Sequence, residues 1–365
     1  MQPIPALSVR SRFHDLCDGR LPPDRLPMLE WAPWWDQTLA RWQREGLDPA
    51  LDMAGLKRRF GLDVDHQYWV WQIPEGTKPQ AGAGWSGSGH GAEAWICDAD
   101  GYEALRPQIY QPSTVAATVA QPYWREWAAE QAAGHALIRL SLEGFFWWPR
   151  RLLGIERHLY AFGDQAELLE RINQDQADFM LRAIEQVCAA FTPDFITIAE
   201  DMSYNHGPML SKRMFDRFLA PYYRQVVPAL KARGIRVFVD SDGDVTQLLP
   251  WLKDVGVEGI LPLERQAGCD IDALQAAHPE FCFLGHFNKL TMSKGESAMR
   301  SEFERLLPAM RRGRFIPSVD HQTPPEVSLE QYGIYARLFR EYAERACTEK
   351  AADTRVMVTV CGINV

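Results

Sequence analysis

Three residues of different chemistry recur at one interval: Asp242, Glu264 and His286 are each separated by 22 residues. Each stands where a short apolar run breaks into polar residues, in VFVDSDGD, GILPLERQ and FCFLGHFNK. If each step is one strand-and-helix unit of a parallel barrel, the three side chains stand on neighbouring strand tips. Two carboxylates and an imidazole around one cavity can hold a divalent metal such as zinc and leave a position open for substrate. Oxygen-rich ligands of this kind suit polarisation of an ether or hydroxyl oxygen better than thiolate binding. Taken singly, Asp242 could equally be a turn former, Glu264 an ion-pair partner and His286 a hydrogen-bonded structural residue.

A further tip, in FIPSVDHQTPP, carries Asp320 and His321. An unperturbed imidazole titrates near neutrality, so His321 is a candidate general acid or base, or an orienting partner of Glu264. Asp240 and Glu200, at the ends of VFVD and ITIAE, complete the candidate catalytic set. Glu143, at the end of LIRLSLE, and Tyr204 and His206, in SYNHGP, are candidates for holding substrate. Trp31, Trp34 and Trp35 directly follow an apolar run and could line an aromatic wall. The competing reading is packing, because Trp35, Leu39 and Trp42 fall at helical spacing.

The elements that must position these residues are repeated apolar runs, each followed by a helical pattern. Runs near residues 28, 66, 137, 195, 235, 257, 281 and 314 are continuously apolar, as expected of parallel strands buried on both faces. Eight such units predict a closed (β/α)8 TIM barrel, whose active sites lie at the C-terminal ends of the strands. The reading is one barrel domain over 1–350, with an N-terminal helical part and a hairpin excursion at about 62–112. That hairpin pairs HQYWVWQIP with AEAWICDADG around a Gly-rich tip. Residues 351–365 form a C-terminal extension whose TRVMVTVCGINV segment is β-like. DQAE at 164–167 and SLEQ at 328–331 have the form of capping boxes, and Pro221 and Pro228 should kink the helix over 211–233.

The composition is that of an ordinary globular protein of 365 residues, 46% hydrophobic and 24% charged. A net charge of −9 argues against nucleic-acid or anionic-membrane partners. Seven scattered cysteines without a CxxC pair suggest a reduced, cytoplasmic protein. No apolar window reaches the roughly 18 residues of a membrane span.

The segments DMSYNHGPMLSKRMFDRFLAPYYRQVVPALKARG, VFVDSDGD, GVEGILPLE, FLGHFNK and FIPSVDHQTPPEVSLEQY resemble, in order, the uroporphyrinogen decarboxylase superfamily, which includes corrinoid-dependent and thiol methyltransferases. The resemblance implies a distorted (β/α)8 barrel and a dimer with facing barrel mouths. Two departures narrow the function. Uroporphyrinogen decarboxylases carry an arginine-bearing segment after the first strand, where this chain reads LEWAPWWDQ. Thiol-activating relatives carry His-x-Cys where this chain has Asp240 and Asp242, and Cys where it has Val319. The resulting expectation is a metal-assisted methyltransferase or O-demethylase component that moves a methyl group from a small methoxylated substrate to a corrinoid on a partner protein. The alternatives are a cofactor-free decarboxylase, with Arg139, Arg150 and Arg151 as its only evident carboxylate clamp, and a non-catalytic ligand-binding barrel.

Overall fold

The computed structural model describes residues 7–32, 34–72, 94–111, 115–116 and 119–360. Its centre is one parallel sheet of seven strands: β1 Val64–Val70, β2 Ala136–Glu143, β3 Phe195–Ala199, β6 Arg236–Asp240, β7 Gly259–Leu261, β8 Cys282–Leu284 and β9 Phe315–Ile316. They neighbour one another in chain order, interrupted only by a two-residue hairpin, β4 Ser203–Tyr204 with β5 Gly207–Pro208. All eight residues of β2 are buried, as the unbroken apolar run requires of a strand covered on both faces. Polar residues on one face meet across the strands. Gln67 donates to Ser141 (2.9 Å), whose hydroxyl lies 2.7 Å from that of Thr197.

The run near residue 28 is not a strand, so the sheet has seven strands where eight were expected. The reason is local. Met28 exchanges hydrogen bonds with Asp63, its carbonyl accepting from Asp63 N (3.0 Å) and its N–H donating to the Asp63 carboxylate (2.8 Å). Beyond that point the backbone bonds to side chains: the Trp31 carbonyl accepts from Arg139 Nη2 at 2.7 Å, and Trp31 N reaches Ser318 Oγ at 3.4 Å. Groups that would have continued a ladder are thereby occupied, and among the described residues β1 pairs only with β2.

Four other expectations are corrected. Among the described residues the second hairpin strand is absent: Asp98 caps a helix, Ala99–Leu105, by accepting from Gly101 N. The Gly-rich tip lies outside the described residues. The β-like C-terminal segment continues a helix, Leu329–Val360, and its last five residues are not described. The helix over 211–233 breaks outright at Leu219 into Lys212–Phe218 and Ala220–Lys231, with Pro221 in the first turn of the second, where its missing N–H costs no bond. Asp164 ends one helix, Ile155–Asp164, and does not cap the next, whereas Ser328 and Gln331 form the reciprocal capping box, at 2.8 and 3.1 Å.

Candidate functional site at the strand ends

The C-terminal ends of β3 and β6 carry the greatest concentration of acid. Glu200, just beyond β3, is fully buried and accepts from the backbone N–H groups of Phe145 (2.9 Å), Phe146 (2.7 Å) and Trp147 (3.2 Å) and from the Tyr223 hydroxyl (2.5 Å). Burial pushes its carboxyl up to about 7 even so, against the pull of those four donors. Gly144 is obligatory here, since any Cβ would overlap the Glu200 carboxylate. Glu200 therefore pins the start of the helix Trp147–Leu153 to β3.

Asp240 ends β6 and is pushed up to about 8, first by burial and then by Asp201 and Glu264, with Arg139 opposing. Asp242, two residues on, is raised well above the usual carboxylate range by burial and by Asp201, Glu264 and Asp240. Asp201 Oδ1 accepts from Asp242 N at 3.3 Å, and Glu264 Oε2 accepts from Gly243 N at 3.0 Å, so the four carboxyls gather around one turn. Gly243 has φ +85° and passes so close to Tyr204 that a Cβ would lie 2.6 Å from its Cα. Asp244 N donates to the Tyr204 carbonyl at 2.9 Å, which fastens the β4–β5 hairpin to this turn. Tyr204 itself is exposed and meets His206 edge-on at 5.6 Å.

His321 approaches the cluster from the next edge of the sheet, its Nε2 lying 3.7 Å from Asp242 Oδ2. Trp31 stands behind it, edge-on at 6.1 Å, with its indole N–H donated to the Val319 carbonyl at 2.6 Å. Asp320 is turned inward, accepting from Lys289 N (3.2 Å) and Arg265 N (3.3 Å), and burial pushes it up to about 6. Arg150 donates to the Asp201 carbonyl at 3.1 Å and lies 4.8 Å over the Trp147 ring. Glu143 instead pairs with Arg151.

A sequence model of the uroporphyrinogen decarboxylase (URO-D) family matches residues 155–342, just over half of the chain. The chain belongs to the uroporphyrinogen decarboxylase family. A search of curated protein sequences finds no match. Among solved structures, a methyltransferase from Methanosarcina mazei is similar over 92% of this chain and 99% of its own, at 17% identity and a TM-score of 0.58. A B12-independent methionine synthase from Shewanella sp. W3-18-1 is similar over 64% of this chain and 67% of its own, at 10% identity and a TM-score of 0.37.

This URO-D family chain does not bring its three 22-spaced residues together. Asp242 and Glu264 share the acidic turn, but His286 is buried elsewhere. Its Nδ1 lies 2.9 Å from the Leu263 carbonyl and its Nε2 3.3 Å from Arg305, and burial pushes it down to about 4. Among the described residues no three His, Cys, Asp or Glu side chains are placed to hold a metal ion. The donor set expected for zinc does not fit one. The backbone explains the turn of His286: it has φ +70° and follows Gly285 at φ +119°, so the in-out alternation of β8 ends before the imidazole.

The tryptophans also separate. Trp34 is buried among Trp42, Phe60 and Tyr332, with ring centroids 5.5–5.9 Å away, and is part of the core. Trp35 occupies the N-cap position of the helix Asp36–Arg44. Two cations that sequence reasoning passed over complete the picture. Lys289, signalled only by its place in HFNK, lies 4.0 Å from Asp320, and Lys57 is buried against Asp65.

Proposed function

We propose that this chain is a methyl-transfer enzyme that releases a methyl group from a small methoxylated substrate to a corrinoid acceptor on a separate protein. The supporting fold is read as a distorted (β/α)8 barrel in one domain, with residues 26–31 lying along its open side without strand pairing, and working as a cytoplasmic homodimer. The observation that carries the function is the gathering of Asp201, Asp240, Asp242 and Glu264 at one turn, with His321 facing Asp242 at 3.7 Å. Four carboxyls crowded in a partly buried site cannot all ionise at neutral pH, so one keeps its proton. Asp242, the member that His321 approaches, is the proton donor. It protonates the ether oxygen as the carbon–oxygen bond breaks, so that the leaving group departs as a neutral alcohol. His321 then returns a proton to Asp242 from solvent. The corrinoid, when bound with its partner, supplies the nucleophile that accepts the methyl group.

Support comes from family membership and from a fold similar to a protein named as a methyltransferase. The test mixes the purified protein with reduced free cobalamin and a panel of methoxylated acids, alcohols and arenes, following methylcobalamin by its visible spectrum. Transfer that is lost in Asp242→Asn supports the reading. Undiminished transfer in that variant removes Asp242 from the role, and no transfer across the panel removes the activity.

A second reading is favoured by Arg150, whose charge bears on Asp201 and Asp242 at the same turn. It could hold a substrate carboxylate for decarboxylation, with the same acid protonating the carbanion. Release of carbon dioxide from a porphyrinogen would select it.

A further inference from the structure

A hollow of about 750 Å³ lies against the first turns of the helix Leu329–Val360, within the range of roughly 300–1,000 Å³ usual for small-molecule sites. None of its walls belongs to the acidic turn. Three guanidiniums line it: Arg59, at the end of the helix Met53–Arg59, and Arg337 and Arg340, one turn apart on the longer helix. Arg340 Nη2 donates to the Gly61 carbonyl at 2.8 Å, which holds the two helices together. Arg337 Nη2 donates to Glu296 Oε2 at 2.8 Å, yet its side chain stays 54% exposed. Arg59 is exposed and makes no hydrogen bond or ion pair with any described residue. Of the two acids in the walls, Glu45 is occupied, its Oε1 accepting from Arg41 Nε at 2.6 Å and its Oε2 from Leu329 N at 2.7 Å. Glu330 is exposed and has no such partner among the described residues. The walls are therefore locally basic in a chain of net charge −9. The apolar part of the lining is Phe60, Leu329, Gly333 and Ala336. Gly333 lies inside a helix, where glycine is the least favoured residue after proline. Packing does not require it, because a Cβ there would meet no neighbouring group within 4 Å. The bare backbone at 333 instead leaves the hollow open beside Phe60.

We propose that this hollow binds a ligand that joins a phosphate group to a flat aromatic body. The phosphate is held by Arg59, which has all its donors to give, with Arg337 and Arg340 as the further cations of the same walls; the guanidinium fork matches phosphate geometry. Three cations in one hollow favour a dianion over a single carboxylate. The ring lies on Phe60 and the bare backbone of Gly333, in the offset or edge-on contact that aromatic rings favour. This site goes beyond the methyl-transfer reading and does not rest on it.

The test uses the full chain with phenyl phosphate, inorganic phosphate and benzoate as probes, in calorimetric titration at neutral pH. Phenyl phosphate should bind saturably. Inorganic phosphate should be about fivefold weaker or more, because it lacks the ring. Benzoate should be about tenfold weaker or more, because it brings one charge to three guanidiniums. Arg59→Gln, at an exposed position without partners, should weaken phenyl phosphate about tenfold. Glu330→Gln should tighten it about twofold, by removing an exposed like charge. Gly333→Leu changes no charge and fills the hollow, so it should abolish binding while leaving the thermal midpoint unchanged or higher, since leucine is the better helix former. Undiminished binding in Gly333→Leu would reduce the effect to diffuse attraction by surface charge and overturn the site. No saturable binding of phenyl phosphate, equal affinity for phenyl phosphate and inorganic phosphate, or undiminished binding in Arg59→Gln would each overturn it as well.

Discussion

Neighbouring strands β3 and β6 both end in buried carboxylates, yet the two ends are built to opposite plans. At β3 the Glu200 carboxylate meets three backbone donors and a phenol, so its charge is met by hydrogen bonds. At β6 Asp240 and Asp242 meet mainly other acids, with Arg139 and Lys289 as the opposing charges. Burial raises all three, so a perturbed acid alone does not mark a reactive one. The distinction lies in what surrounds the group: donors that fix it in place, or like charges that leave a proton to give. In the function proposed above, Glu200 accordingly serves the architecture and Asp242 the chemistry.

The largest effect that would break this contrast is on turnover. Asp242→Asn should lower methyl transfer by about 10²–10⁴ while leaving the thermal midpoint unchanged or higher, because it removes a like charge. A variant that unfolds instead would put both strand ends in one class. Next, Glu200→Ala should cost about 3 kcal/mol or more in urea unfolding, since it strands several buried donors. Glu200→Gln, whose amide oxygen still accepts, should cost less.

The pH dependence of stability sharpens the contrast. Asp240, Glu200 and Glu30 have folded values pushed up to about 8, 7 and 7. A raised acid holds its proton better when folded, so its contribution is full at low pH and is lost as pH rises through the folded value. His286, lowered to about 4 from 6.5, acts below pH 6.5, where acidification destabilises. Between pH 6.5 and 8 the carboxyls dominate, and stability should fall by about 2 kcal/mol per pH unit. Asp240→Asn should flatten the upper part of that fall. The smallest effect is Ser328→Ala, which removes one capping bond and should cost about 1 kcal/mol in the same unfolding assay.

The sequence carried the strands that are long and apolar on both faces, and seven of the eight runs are strands in the expected order. It misled where tertiary side chains replaced backbone pairing, as at Trp31, whose carbonyl is taken by Arg139. It also misled at the C-terminus, where a β-branched run continues an established helix. At the site, the interval of 22 residues placed Asp242 and Glu264 at one turn but could not foresee His286. Asp201, Leu263 and His286 all have positive φ, at 40°, 59° and 70°. Strand periodicity stops at such residues, so the direction of the next side chain is set by the turn and not by alternation.

Glu200 also limits how this scaffold can be re-engineered. Its carboxylate fills the space a side chain at residue 144 would need while gripping the amides of residues 145–147. A loop grafted between β2 and the helix Trp147–Leu153 must therefore bring a glycine and three inward-facing amides with it, or be introduced together with a smaller residue at 200. Two positions 56 residues apart in the chain are a single unit of inheritance.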